Sequence, residues 1–217
     1  AAPKWARPAA CAWCGPRGTV VSDMMLHIAF LPAELRGVDL TGKVCIVLDI
    51  FRATTSITAA ISNGCEAIYP VLSVEEARQL AANNPDCLLA GERRSLRIEG
   101  FQLGNSPYDF CPETVRGRRV IMTTTNGTAA IKATEGCHAT LIGSFLNATA
   151  VCREAARYGQ DILIVCAGPE QTFSLEDALC AGYLAELLQG KNTDMELTDA
   201  AYAALLLYRQ AAGDLPG

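Results

Sequence analysis

Histidine is almost missing from this chain: His27 and His138 are the only two in 217 residues. His138 precedes an apolar run instead of ending one, so a Ser–His hydrolase triad is not expected. Aromatic residues make up 6% of the chain and form no stacking platform, and the net charge is −5. Both argue against a nucleic-acid partner. No apolar run approaches the roughly 20 residues that span a bilayer, so no membrane partner is expected. No repeat of solenoid length is present. Charge is scarce at 19% while half the residues are apolar. That is the composition of a globular chain with a substantial core and excludes disorder.

Cysteine is the abundant exception, with ten residues. Cys45, Cys65, Cys87, Cys111, Cys137, Cys152, Cys166 and Cys180 fall singly in runs that read as core. This suits reduced, buried thiols in a cytoplasmic protein better than a disulfide framework. Cys11 and Cys14 form a lone C-x-x-C with no second pair nearby. They lie in an Ala/Pro/Arg-rich stretch, residues 1–23, that lacks the apolar centre of a secretory signal. The expectation is a disordered leader over 1–23 and one α/β domain over 24–217, its C-terminal end incomplete.

Within that domain apolar runs alternate with amphipathic stretches. Strands are expected at 26–31, 44–50, 67–71, 87–90, 118–122, 140–143 and 161–168. Helices are expected from Thr54 to the Asn63-Gly64 stop, over 73–83 behind the pattern Ser73-x-x-Glu76, from Ala129, over 148–157, over 174–188 and over 197–210. Unbroken runs such as Val44-Cys45-Ile46-Val47-Leu48 mark strands covered on both faces. The alternation predicts a three-layer α/β sandwich, a largely parallel or mixed central sheet flanked by helices. The stretch between Arg94 and Arg118 reads as a long irregular loop, a place where function often sits.

In such folds ligands bind beyond the carboxyl ends of the strands. The unusual polar residues of this chain fall at those ends. Thr123-Thr124-Thr125-Asn126-Gly127-Thr128 follows Val120-Ile121-Met122 and precedes an Ala-rich helix. Backbone donors at a helix start, hydroxyls and a small Gly make a surface suited to phosphate, although an ordinary N-cap turn would look the same. Asp49 ends an apolar strand, where it reads as a metal ligand or general base, or else as a cap or a partner of Arg52. Glu92 follows a strand and a Gly and could ligate magnesium. Glu176 and Asp177 open a helix, so dipole and capping account for them as well as a metal would. Arg93, Arg94 and Arg97 beside Glu92 could clamp an anion or form a solvated face. Cys166 and Cys180 offer a competing thiolate chemistry, though packed thiols fit them better.

The blocks DIFRATTSI (49–57), AGERR (90–94), GFQLGNSP (100–107), TTTNGT (123–128), IGSFLN (142–147) and FSLEDALCAG (173–182) resemble the 2-phosphosulfolactate phosphatases, in order and with that family's spacing, across residues 26–210. The resemblance implies a magnesium-dependent hydrolase acting on 2-phospho-3-sulfolactate, a coenzyme M biosynthesis-type step, with related proteins also in bacteria lacking that pathway. It implies an active site lined by Asp49, Arg52, Glu92, Asn105, Ser106, the Thr123–Thr128 turn, Ser144, Asn147, Glu176 and Asp177. Residues 1–23 have no counterpart in that pattern, and family members usually continue beyond Gly217.

The expected function is therefore a magnesium-dependent phosphatase. Asp49, Arg52, Glu92 and Asn126 are its catalytic candidates, and Asp49, Glu92, Glu176 and Asp177 its candidate ligands for Mg2+. Arg93, Asn105, Ser106, Thr123, Thr124, Thr125, Gly127, Thr128, Ser144 and Asn147 are the candidates to bind a small anionic substrate. The alternative is a binding protein that holds a phosphorylated or sulfonated metabolite without turnover. The apolar stretch from Ala200 to Leu207 offers a face through which a homodimer could form.

Overall fold

The computed structural model describes residues 24–191 and 195–213, so the leader expected over 1–23 and the end of the chain lie outside the described residues. In chain order the elements are β1 (Met25–Ala29), β2 (Val44–Leu48), α1 (Ala53–Ser62), β3 (Ala67–Pro70), α2 (Val74–Asn83), β4 (Leu88–Arg93), β5 (Leu96–Arg97) and α3 (Pro112–Val115). There follow β6 (Arg119–Thr123), α4 (Gly127–Ala133), β7 (Ala139–Gly143), α5 (Ala148–Arg157), β8 (Ile162–Cys166), α6 (Leu175–Lys191), β9 (Glu196–Leu197) and α7 (Asp199–Ala212).

The expected layered α/β architecture is present and its strands are largely parallel. What alternation alone did not convey is their division between two sheets. One has the order β7-β2-β8-β1-β9, the other β3-β6-β4-β5. Only the β4–β5 pair, a tight hairpin, is antiparallel among the described pairings.

The five-stranded sheet is covered on both faces, which is why β2 and β8 read as unbroken apolar runs. Successive side chains alternate across the pleat. Val44, Ile46 and Leu48 join Ile162 and Ile164 against α5, α6 and α7. Cys45, Leu163 and Val165 turn the other way, toward Leu35 and Leu40. Val47 meets Ala130 and Ile131 of α4. Gly182 lets α6 and α7 approach closely, since a Cβ there would strike the backbone of Ala204. The second sheet packs Val120 and Met122 on Ala53, Ile57 and Ala60 of α1, and Ile121 on α2. Helix α1 thus lies between the sheets, in contact with β7 as well.

Most boundaries fall where the sequence signals them. Asn63 caps the C-terminus of α1, and the Ser73 hydroxyl accepts from the Glu76 N–H at 3.0 Å. The reciprocal arm of that cap shifts by one residue: the Glu76 carboxylate accepts from Leu72 N–H and not from Ser73. The largest difference is β4, which runs through Glu92 and Arg93 because β5 folds back to pair with it. The segment expected to be irregular also holds a single 3-10 turn, Pro107–Phe110, and α3. Its register was invisible beforehand because a two-residue strand exists only through its partner.

Pairing also sets the strand ends. Leu48 lies level with Gly143 and Cys166, and Gly91 level with Thr123. Asp49, Ser144 and Ala167 therefore emerge together from one sheet, and Glu92 and Thr124 from the other.

Candidate active site

Between those two sets of strand ends lies a cleft of about 340 Å³, lined by Asp49, Phe51, Arg52, Glu92, Arg94, Ser95, Asn105, Thr125, Asn126, Pro169, Glu170 and Thr172. Asp49 sits at its base, 8% exposed. The backbone turns tightly after β2, with Thr54 donating its N–H to the Asp49 carbonyl and the Thr54 hydroxyl bonded there too. The bare α-carbon of Gly127 faces the Asp49 carboxylate. A Cβ there would stand 2.6 Å from Oδ2 and would collide with Ala53. Only glycine allows α4 and α1 to enclose that carboxylate so closely.

Burial, then the charges of Asp177 and Glu92, push the Asp49 carboxyl up to about 7, against the pull of the nearby Ala53 and Arg52 N–H groups. No cation neutralises it through a salt bridge among the described residues.

Glu92 and Asp177 are held differently. Glu92 accepts the Thr125 N–H at 2.7 Å on Oε1 and the Ser95 N–H at 2.8 Å on Oε2, tying the hairpin tip to the threonine turn. Asp177 accepts the Ile50 N–H at 2.8 Å and the Gly168 N–H at 3.2 Å, bracing the loops that follow β2 and β8. Burial raises its pKa in spite of those bonds. Its own N–H is capped by Ser174 at 3.2 Å. Glu176 lies half-buried beside a smaller hollow that Asp49, Asn126 and Asp177 also line.

The four candidate metal ligands thus do not converge as one set. Among the described residues no three His, Cys, Asp or Glu side chains form a group able to hold an ion. Magnesium does not require such a cage: it keeps several waters and takes one or two carboxylates plus substrate phosphate. Asp49 with Glu92, two carboxylates lining one cleft, fits that donor chemistry.

Arg52 reaches across the cleft to the Ser95 carbonyl at 3.4 Å, and Arg94 lines the opposite rim. Arg94 and Ser95 form the hairpin tip with φ of 50° and 65°, a left-handed conformation that non-glycine residues adopt at some cost. Arg93 and Arg97 turn elsewhere. Arg93 bonds the Thr123 hydroxyl and the Glu92 and Leu72 carbonyls, while Arg97 bonds the Gln102 carbonyl.

The threonine turn is largely self-satisfied. Thr124 and Thr128 exchange bonds between N–H and hydroxyl in both directions, at 3.3 and 3.1 Å, and Thr123 is fully buried. Thr125 and Asn126 are the parts that line the cleft, and Asn126 Oδ1 accepts the Glu170 N–H. Asn105 lines it as well; its Oδ1 is buried without a partner among the described residues, while its carbonyl accepts from Ser56. Ser106 N–H bonds Asp109 at the start of the 3-10 turn. Ser144 and Asn147 close on one another at 2.8 Å, on Thr58 and on the Ile142 carbonyl.

Phe51, Ser95, Pro169, Glu170 and Thr172 were not singled out in advance. Gly168-Pro169 after the β8 run was the available signal for the last three. Cys166 and Cys180 are buried in the core, and burial together with the Asp177 charge holds both thiols far above their ordinary pKa. Neither can serve as a thiolate nucleophile.

Residues 29–216 match the profile of the family described as 2-phosphosulpholactate phosphatase. Three similar proteins each bear the name probable 2-phosphosulfolactate phosphatase. That of Symbiobacterium thermophilum is 45% identical over 85% of this chain and 78% of its own. That of Clostridium acetobutylicum is 40% identical over 86% and 80%. That of Caldanaerobacter subterraneus is 44% identical over 82% and 74%.

Proposed function

The chain belongs to the 2-phosphosulfolactate phosphatase family, a family of phosphoric monoester hydrolases, and from that premise we propose that it is a magnesium-dependent phosphatase. Its substrate is the phosphate ester of 2-phospho-3-sulfolactate, and its products are sulfolactate and phosphate, a coenzyme M biosynthesis-type step. The observation that carries the reading is Asp49, a buried carboxylate crowded by two others at the base of a cleft rimmed by Arg52 and Arg94. A carboxyl that burial and two neighbouring carboxylates keep protonated up to about 7 is one whose charged form a divalent cation would stabilise.

Asp49 and Glu92 would hold the ion. When bound, magnesium supplies charge neutralisation on the phosphoryl oxygens. Arg52 and Arg94 hold the anionic groups of the substrate, which carries phosphate, sulfonate and carboxylate. The Thr125 hydroxyl and the Asn126 amide orient the phosphoryl group from the side of α4. Water attacks phosphorus, the P–O bond to the sulfolactate oxygen breaks, and that oxygen leaves with a proton. The preorganised donors stabilise charge on the oxygens while this happens.

The test is phosphate release from 2-phosphosulfolactate and a panel of phosphorylated hydroxy acids, with magnesium and then with a chelator. Release that requires magnesium and favours the sulfonated ester supports the proposal. Equal rates in the chelator would overturn the metal requirement, and preference for another three-carbon ester would overturn the substrate.

A further inference from the structure

Beside the reaction cleft lies a second, larger hollow of about 530 Å³. The two share Thr125, Asn126 and Glu170, so only that ridge, pinned by the Glu170 N–H to Asn126 Oδ1 bond, divides them. The far side differs in chemistry from the cleft. Its walls are methyl groups: Ala129 and Ala133, four residues apart on one face of α4, Ala33 of the turn after β1, and Ala167 after β8. A larger side chain at Ala129 or Ala133 would take up part of that space. One cation stands there, Arg36, exposed, with no hydrogen bond or ion pair from its guanidinium to another described residue.

The geometry points to an accessory subsite for the acid part of an extended phosphate ester. It rests on the phosphatase reading, since the phosphate itself is placed at Asp49, Arg52 and Arg94. A three-carbon acid occupies the cleft alone, and a cleft of about 340 Å³ is already at the size of a small-ligand pocket. The second hollow is contiguous and apolar, and it ends on an unpaired guanidinium. It fits an aliphatic chain that crosses the Asn126 ridge and terminates in a carboxylate or other anion at Arg36. Glu170 faces the ridge with a negative charge, so the middle of the chain must be uncharged. The further substrate class assigned, beside the three-carbon ester that the cleft holds alone, is phosphate esters of 2-hydroxy acids with an apolar chain and a distal anion.

Three esters separate the contributions: 2-phospholactate, the phosphate ester of 2-hydroxyhexanoate, and that of 2-hydroxyadipate. Wild-type kcat/KM is expected to rise about tenfold from the first to the second, as extra methylenes in an apolar pocket allow. It should rise again, about fivefold, for the third through its charge. Ala129→Leu, with Ala133→Leu as a second variant, is expected to abolish the chain-length preference and leave the rate on 2-phospholactate unchanged. Arg36→Ala should remove only the advantage of the adipate ester. Wild type that hydrolyses 2-phospholactate with no preference for longer chains would overturn the subsite. So would Leu variants, folded by circular dichroism, that slow all three esters equally.

A calorimetric titration with the non-hydrolysable phosphonate analogue of the adipate ester decides the matter independently of turnover. If no ester releases phosphate, the phosphatase reading falls. The subsite then stands if that phosphonate binds wild type and loses affinity in Ala129→Leu and Arg36→Ala, and falls if it does not.

Discussion

The two sheets contribute to the cleft in contrasting ways. The five-stranded sheet has β2 and β8 wholly buried, and it delivers Asp49 and, through Asp177, the loops after both strands, all fixed by main-chain bonds. The four-stranded sheet is thinner. Its strand β3 is only partly buried, and it delivers a hairpin tip whose Arg94 and Ser95 sit in a left-handed conformation. The buried Asp49 and, just after it, Arg52 come from the heavily packed sheet, and Arg94 comes from the lighter one. The buried carboxylate and the hairpin tip are supplied by different layers, joined where Arg52, just after β2, donates to the Ser95 carbonyl.

The comparison breaks most sharply at Asp49. Asp49→Asn is expected to lower phosphate release about 10³-fold, the scale of losing one key charge in an active site. Steady-state assays with magnesium check this. A loss below tenfold would remove Asp49 from the centre of the mechanism. Packing should separate the sheets next. Ile46→Ala in β2 is expected to cost about 4 kcal/mol and Ile68→Ala in the partly buried β3 about half that, read from urea unfolding. Equal costs would mean that the sheets are equally packed. Asp177→Ala leaves the Ile50 and Gly168 N–H groups without their acceptor and should cost about 2 kcal/mol, with rate falling alongside stability.

The pH dependence sharpens the same contrast. The folded carboxyl of Asp49 titrates near 7 against an ordinary value of 3.8, so the folded chain holds that proton more tightly than the unfolded one. Its contribution is fully present below about 3.8 and is lost as pH rises to about 7. Metal-free protein should therefore melt several degrees lower at pH 8 than Asp49→Asn does, and magnesium should close the gap in wild type alone. Proton competition further predicts that magnesium affinity weakens below pH 7, measurable by calorimetry. The smallest effect is expected at the rim, where Arg94→Ala should raise KM about tenfold with kcat little changed.

Much of the fold was legible in the sequence because its signals are local. The β2 and β8 runs, the Ser73 and Ser174 caps and the Asn63-Gly64 stop each follow from residues within one turn or strand. Asp49, Arg52, Glu92, Thr125 and Asn126 could be placed near one another because strand ends of a parallel sheet share an edge, and Asn105 joined them through the family resemblance. The same reasoning brought in Ser144 and Asn147, whose side chains the structure engages with each other. It also grouped Asp177 with Asp49 as a candidate ligand, because a carboxylate in the first turn of a helix reads the same whether its oxygens meet a ligand or, as here, the Ile50 and Gly168 amides.

By itself, then, the sequence determined the order of elements, the family and the set of polar strand ends, through periodicity, capping and motif. Tertiary structure alone decided that the strands divide into two sheets and that Glu92 links the hairpin tip to the threonine turn. It alone left Asp49 as the buried carboxyl raised to about 7. Desolvation and the fields of Asp177 and Glu92 depend on what surrounds a group in space, and neither is written in the residues beside it in the chain.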